Sequence, residues 1–191
     1  MGSHQRRPRA SYRGLNEINT INVIQSLVTF LNEHRDASPA LPLIPNETSL
    51  KELHRAGTLF LLEKPGDYRE VPVVVRDQQG NVVHRPPPWG DVPTLMTDFF
   101  TELQRIWSQG DALDAAGLAL WRINWVHPFK NGNGRTARAY SYACLCARLE
   151  VWLEGQPTVI AQIKNTRPEY EAALRAGDAG DLTVMRSYLA L

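Results

Sequence analysis

His127-Pro128-Phe129-Lys130-Asn131-Gly132-Asn133-Gly134-Arg135-Thr136-Ala137-Arg138 is the stretch on which the chain turns. Trp121, Ile123 and Val126 close one apolar-patterned helix before it, and a second helix is predicted to begin near Arg135. Gly132 and Gly134 flank a small amide, Asn133. Glycine permits the left-handed and extended backbone that turns successive N–H groups toward one point. The N-terminus of the following helix adds unpaired N–H donors and a partial positive charge. Together these make an anion site of the phosphate-cradling kind. Arg135 and Arg138 lie three apart, so they share a helix face, and both can reach one polyphosphate with a planar fork. His127 enters the loop five residues before Gly132. A histidine with an unperturbed pKa of ~6.5 beside a phosphate site suits removal of a proton from an attacking hydroxyl. Phe129, apolar among polar neighbours, reads as a plug onto the core. A glycine turn, a histidine before proline or an arginine pair on a helix is each commonplace; their conjunction is what points to chemistry.

Working outward, residues 1–13 read as a disordered arm, Met1-Gly2-Ser3-His4 having the look of an expression remnant. Residues 14–48 read as an N-terminal helix and connecting loop. Ile18, Ile21, Ile24, Leu27, Val28 and Leu31 form its apolar face, and three prolines follow between Asp36 and Glu47. Residues 49–191 form the core domain. It opens with a helix from about Ser49 to Glu63, after which Pro65-Gly66-Asp67 turns the chain. Val71, Val73, Val74 and Val75 then read as a strand, Gln79-Gly80-Asn81 as a reversal, and Val82-Val83-His84-Arg85 as the returning strand. Pro86-Pro87-Pro88 stops this hairpin, which spans about 71–85. Helical period resumes at Val92, with Asp91 expected as its N-cap and Pro93 in its first turn. Asp111 to Val126 is a helix whose small middle (Ala115, Ala116, Gly117, Ala119) suits close packing at the centre of a bundle. Arg135 to about Glu150 is helical, and two shorter helices near Pro168–Ala176 and Asp181–Leu189 close the chain. The fold class is all-α with one small β-hairpin.

The bulk composition narrows the function. Lys and Arg total 21 against 20 Asp and Glu, a net charge of +1, which argues against a nucleic-acid or membrane-surface partner. No apolar run approaches the ~20 residues of a membrane helix. Cys144 and Cys146, two apart on a helix, point to different faces and read as small buried thiols of a reducing compartment, with a cytoplasmic location. His34 and His54 have no second metal ligand at useful spacing, and His84 is expected to face solvent or a bound target. Trp107, Trp121, Trp125 and Trp152 read as core or near-core aromatics, and Trp89 as partly exposed.

The stretch His127–Arg138 resembles the Fic family motif His-x-Phe-x-(Asp/Glu)-Gly-Asn-Gly-Arg-x-x-Arg at every defined position but one. Lys64-Pro65-Gly66-Asp67-Tyr68-Arg69 before the hairpin is similar to the family's flap approach, and Pro87-Pro88 with Val92, Leu95 and Met96 to the helix start after the flap. Tyr170-Glu171-Ala172-Ala173-Leu174 with Gly180-Asp181-Leu182 is similar to its C-terminal helices. The likeness covers roughly residues 50–190.

This resemblance implies a Fic-type helical bundle that transfers AMP from ATP to a Ser, Thr or Tyr hydroxyl of a target protein. His127 would be the general base. Gly132, Asn133 and Gly134 would hold the α- and β-phosphates, Arg135 the β-phosphate and Arg138 the γ-phosphate. The hairpin would be the flap, docking the target along Val73, Val74 and Val75. The departure is Asn131, where the family has an Asp or Glu that ligates Mg²⁺; an amide oxygen brings no charge. Three consequences stay open: weaker metal dependence, another phosphate-bearing donor, or a nucleotide-binding module without turnover. Glu17 lies where an inhibitory helix of the family could sit, but Arg13 and Ile18 depart from that motif. A first-turn glutamate stabilised by the helix dipole is the plainer reading. An antitoxin-like or regulatory subunit could supply inhibition instead, and both toxin and secreted-effector settings are compatible.

Overall fold

The computed structural model describes residues 45–77, 79–150 and 166–190, together with residues 19, 22, 23, 25–29, 31–33, 163 and 165. Helix α1, Glu47–Thr58, starts where Asn46 accepts a hydrogen bond from the Ser49 N–H. It stops at Leu59, several residues short of the predicted end. Tertiary donors take the place of a further turn: Arg135 reaches the Gly57 carbonyl and Asn19 reaches that of Leu59. Phe60 then turns the chain with a left-handed φ of 62°.

Strands β1 (Val75–Arg76) and β2 (Val82–His84) pair antiparallel, Val75 opposite His84, with an irregularity before Arg76. Asp77 closes the turn by accepting from the Asn81 N–H and side-chain amide. The ladder is shorter than the valine run predicts, since Val71, Val73 and Val74 precede it. Continued outward, the antiparallel register would set Val73 opposite Pro86 and Val71 opposite Pro88, and prolines have no N–H to give.

A 3₁₀ turn, Trp89–Asp91, leads into α2, Val92–Gln109. Asp91 does not cap α2 with its side chain as expected. It is itself helical, and its N–H donates to the Pro88 carbonyl. Val92, Met96, Phe99 and Leu103 form the buried stripe of α2. Each such large side chain contributes about 1.5–3 kcal/mol by leaving water.

Helix α3, Ala112–Val126, is capped by Asp111, which accepts from the Leu113 and Asp114 N–H groups. Helix α4, Asn133–Leu149, runs against it in the most extensive helix pairing among the described residues. Ala115, Ala116, Ala119, Ala137 and Ala143 are all buried, so the two axes can approach closely. Ser141 donates to the Ala116 carbonyl across this seam. Cys144 and Cys146 are both buried, as expected. Helices α5 (Arg167–Asp178) and α6 (Thr183–Leu189) cover the far side. The Trp121 indole rests on Gly177, where an added Cβ would come within 2.4 Å of Cδ1. The described residues between 19 and 33 are helical, and Leu27 and Leu31 join the core. The fold is thus all-α with one hairpin, and the site sits at the junction between the end of α3 and the start of α4.

Candidate active site

His127 is the residue that ends α3, and it does so in the left-handed region with φ 51° and ψ 56°. Its N–H still donates to the Ile123 carbonyl, while the ring turns out of the helix. Ring Nδ1 lies 3.3 Å from the Asn124 carbonyl, which can only accept, so Nδ1 carries the proton and Nε2 keeps its lone pair. Burial lowers the pKa of His127 to about 4; the nearby His84 and Arg69 add to this, and the Asn124 bond opposes it. The ring is therefore a neutral acceptor near pH 7.

Two buried residues hold the loop after His127 from opposite sides. The Arg69 N–H donates to the Pro128 carbonyl (2.8 Å) and its guanidinium to the carbonyls of His127 and Val126. His54, fully buried, accepts from the Gly66 N–H at Nδ1 and donates from Nε2 to the Asn131 carbonyl, 2.9 Å each. Its ring stacks on Phe129 with centroids 3.7 Å apart. Burial lowers its pKa to about 4, so this bridging histidine stays neutral. Phe129 is itself fully buried.

Gly132 has φ 80°, and a Cβ there would lie 2.6 Å from Thr58 Cγ2, so both backbone and space require glycine. Its N–H donates to Asn131 Oδ1. The Asn133 side chain is wholly taken up by the loop: Oδ1 accepts from the Phe129 N–H and Nδ2 donates to the Phe129 carbonyl. Any anion held at Asn133 would therefore meet its backbone N–H. Among the described hydrogen bonds, none uses the N–H of Asn133 or Gly134 at the start of α4. These are the donors that a helix N-terminus offers to a phosphate.

The two arginines diverge from the shared reach expected of them. Arg135 donates to the Gly57 carbonyl on α1 (2.6 Å). Arg138 overhangs the start of α4, its Nη1 3.3 Å from where a Gly134 Cβ would be. Arg138 also lines a cleft of about 580 Å³ with His127, Asn124, Tyr170, Val75 and His84. Tyr170, its pKa pushed up to about 12 by burial, accepts from the Asn124 side-chain amide. His84 does not simply face solvent: its Nε2 donates to the Trp125 carbonyl and pins the hairpin to the end of α3. Val73 is half-buried and Val74 exposed beside this hairpin. Glu17, Trp152 and His34 lie outside the described residues.

The residues present do not fit a magnesium ion held by the protein itself. Asn131 is exposed, uncharged and turned onto the Gly132 N–H. Among the described residues no three His, Cys, Asp or Glu side chains converge. Magnesium favours charged, hard oxygen ligands.

Arg69 and His54 escaped the reading of the sequence. The flap approach drew notice only as a block, and no local spacing marks a buried arginine whose acceptors are remote carbonyls. His54 is an apolar-face histidine whose partners lie 12 and 77 residues away.

The site is thus a loop between two packed helices that carries a neutral histidine, a glycine-bounded helix N-terminus and an overhanging arginine. A family model described as Fic/DOC family matches residues 44–145, more than half of the chain, and the chain belongs to that family. Among curated proteins it is 39% identical over 80 residues to "Protein adenylyltransferase fic-1" of Caenorhabditis elegans, covering 42% of this chain and 14% of that one. It is 32% identical over 108 residues to "Protein adenylyltransferase Fic" of Drosophila willistoni, covering 56% of this chain and 20% of that one. The chain thus matches a fifth or less of these relatives' length. Among solved structures, Fic-1 from C. elegans superposes with a TM-score of 0.69 at 22% identity, over 100% of this chain and 50% of that one. A Fic domain containing signaling protein from Bacteroides thetaiotaomicron superposes at 0.66 and 20% identity, over 91% of this chain and 65% of that one. These likenesses establish the fold.

Proposed function

We propose that this protein is an adenylyltransferase that moves AMP from ATP onto a Ser, Thr or Tyr hydroxyl of a target protein. The observation that carries it is the placement of Arg138, which lines one cleft with the neutral His127 and overhangs Gly134 at the start of α4, where the Asn133 and Gly134 N–H groups make none of the described hydrogen bonds. His127 Nε2 takes the hydroxyl proton as the target oxygen attacks the α-phosphorus. The bond to the bridging oxygen breaks and pyrophosphate leaves. The backbone at Gly132, Asn133 and Gly134 and the Arg138 side chain hold the phosphates while charge shifts toward the leaving group. Arg135 joins them on releasing the Gly57 carbonyl. Val73 and Val74, outside the short ladder, leave a strand edge with which a target segment could pair beside Val75.

Any magnesium would arrive with the nucleotide, its ligands mainly phosphate and water oxygens, and when bound it would neutralise phosphate charge. A second reading rests on Asn131: a module that binds a nucleotide, or another phosphate-bearing donor, without transferring AMP. A cytoplasmic setting and an antitoxin-like or regulatory partner belong to the proposal as well. No helix of the described residues is long and apolar enough to cross a membrane.

Intact-mass spectrometry of wild type and His127→Ala, incubated with magnesium and each nucleoside triphosphate and with candidate targets, tests the proposal. A gain of one AMP on the protein or target, absent in His127→Ala, is expected with ATP. Transfer that survives in His127→Ala would remove the general-base assignment, and no transfer with any donor or target would favour the second reading.

A further inference from the structure

Arg69 is 4% exposed, and its described side-chain bonds all run to backbone carbonyls. A buried cation without a carboxylate is costly, and burial pushes the Arg69 pKa down. The carbonyls it joins belong to two separate parts of the site. Val126 and His127 form the end of α3, which carries the base. Val71 (3.3 Å) and Pro87 (2.7 Å) are the two roots of the hairpin. The Arg69 backbone adds the bond to Pro128, just past the base. One planar fork therefore fixes both hairpin roots against the peptide of His127, whose backbone is left-handed. The guanidinium presents five donors in a rigid plane, a span that the compact ammonium of lysine lacks.

We propose that Arg69 is a positioning residue, setting the distance and angle between a hairpin-docked target and the His127 ring. This rests on the reading of His127 as the base and of the hairpin as the docking edge. The nucleotide site is left largely independent: the N–H donors of α4 and the Arg138 side chain make none of the described contacts with Arg69. Arg69 is also one of the charges that keep His127 unprotonated.

The test compares wild type, Arg69→Met and Arg69→Lys below their melting temperatures. Nucleotide Kd is measured by calorimetry, transfer kcat by mass spectrometry, and the His127 ring resonance by NMR in the nucleotide-free protein. Misplacing reacting groups by about 1 Å can cost ~100-fold, so Arg69→Met should lose ~10–100-fold in kcat while Kd changes less than about threefold. Arg69→Lys should fall between, and it carries the test alone if the Met variant does not fold. Loss of kcat and nucleotide affinity in parallel, or no loss of kcat, would overturn the proposal. Should wild type transfer nothing to any target, the adenylyltransferase reading fails and the ring resonance decides about Arg69. A resonance moved in the variants upholds the positioning role, and an unmoved one removes it.

Discussion

Replacing Gly132 with alanine perturbs the site at the point where backbone conformation and packing coincide. The residue has φ 80°, and a left-handed conformation costs a non-glycine residue roughly 1–2 kcal/mol. The new Cβ would lie 2.6 Å from Thr58 Cγ2, against 3.4–4 Å for ordinary contact. Thr58 cannot easily turn away, because it is 1% exposed and its hydroxyl donates to the His54 carbonyl. Overpacking of this kind costs about 1–3 kcal/mol. The sum is about 2–5 kcal/mol, which for a chain of this size lowers Tm by roughly 4–20 °C. Thr58→Ser removes Cγ2 and keeps the hydroxyl, so in the double variant it should return the steric part and leave the conformational part. Thermal melts of wild type, both single variants and the double close the cycle. A Gly132→Ala protein melting within about 2 °C of wild type would refute the reasoning, as would a double variant with no recovery. The first outcome would mean that the loop relaxes freely, the second that Thr58 is not the obstacle.

Two further outcomes follow from groups that hold the loop. Asn133→Ala leaves the buried Phe129 N–H and carbonyl without partners and should cost ~2–4 kcal/mol in urea unfolding, with Asn133→Asp losing only the donor half; equal stability of Asn133→Ala and wild type would show that water replaces the clamp. His54 has a folded pKa of about 4 against 6.5 when unfolded, so between those values the unfolded chain binds more protons and stability falls on acidification. From pH 6.5 to 5 this contributes about 2 kcal/mol of loss, which His54→Gln should lack; identical losses by urea titration at the two pH values would show that His54 is not the group responsible.

The sequence by itself determined a good deal. The sequence placed α2, α3 and α4 to within a few residues, α2 because it buries a stripe of regular period. The glycine turn and helix start within His127–Arg138 were legible because glycines and a helix start act locally on the backbone. The missing carboxylate at Asn131 could be read directly. Only the tertiary structure decided what Asn133, Arg135, Arg69 and His54 do, since each is defined by a carbonyl or N–H that another segment brings to it. Asn133 faces inward onto Phe129, Arg135 reaches α1, and Arg69 spans the hairpin roots and the end of α3. The end of α1 and the length of the hairpin were likewise set from outside, by Arg135 and Asn19 on one and by the proline register on the other. Local pattern specifies what a segment forms, whereas the acceptors of a buried polar side chain lie wherever packing delivers an unpaired backbone group.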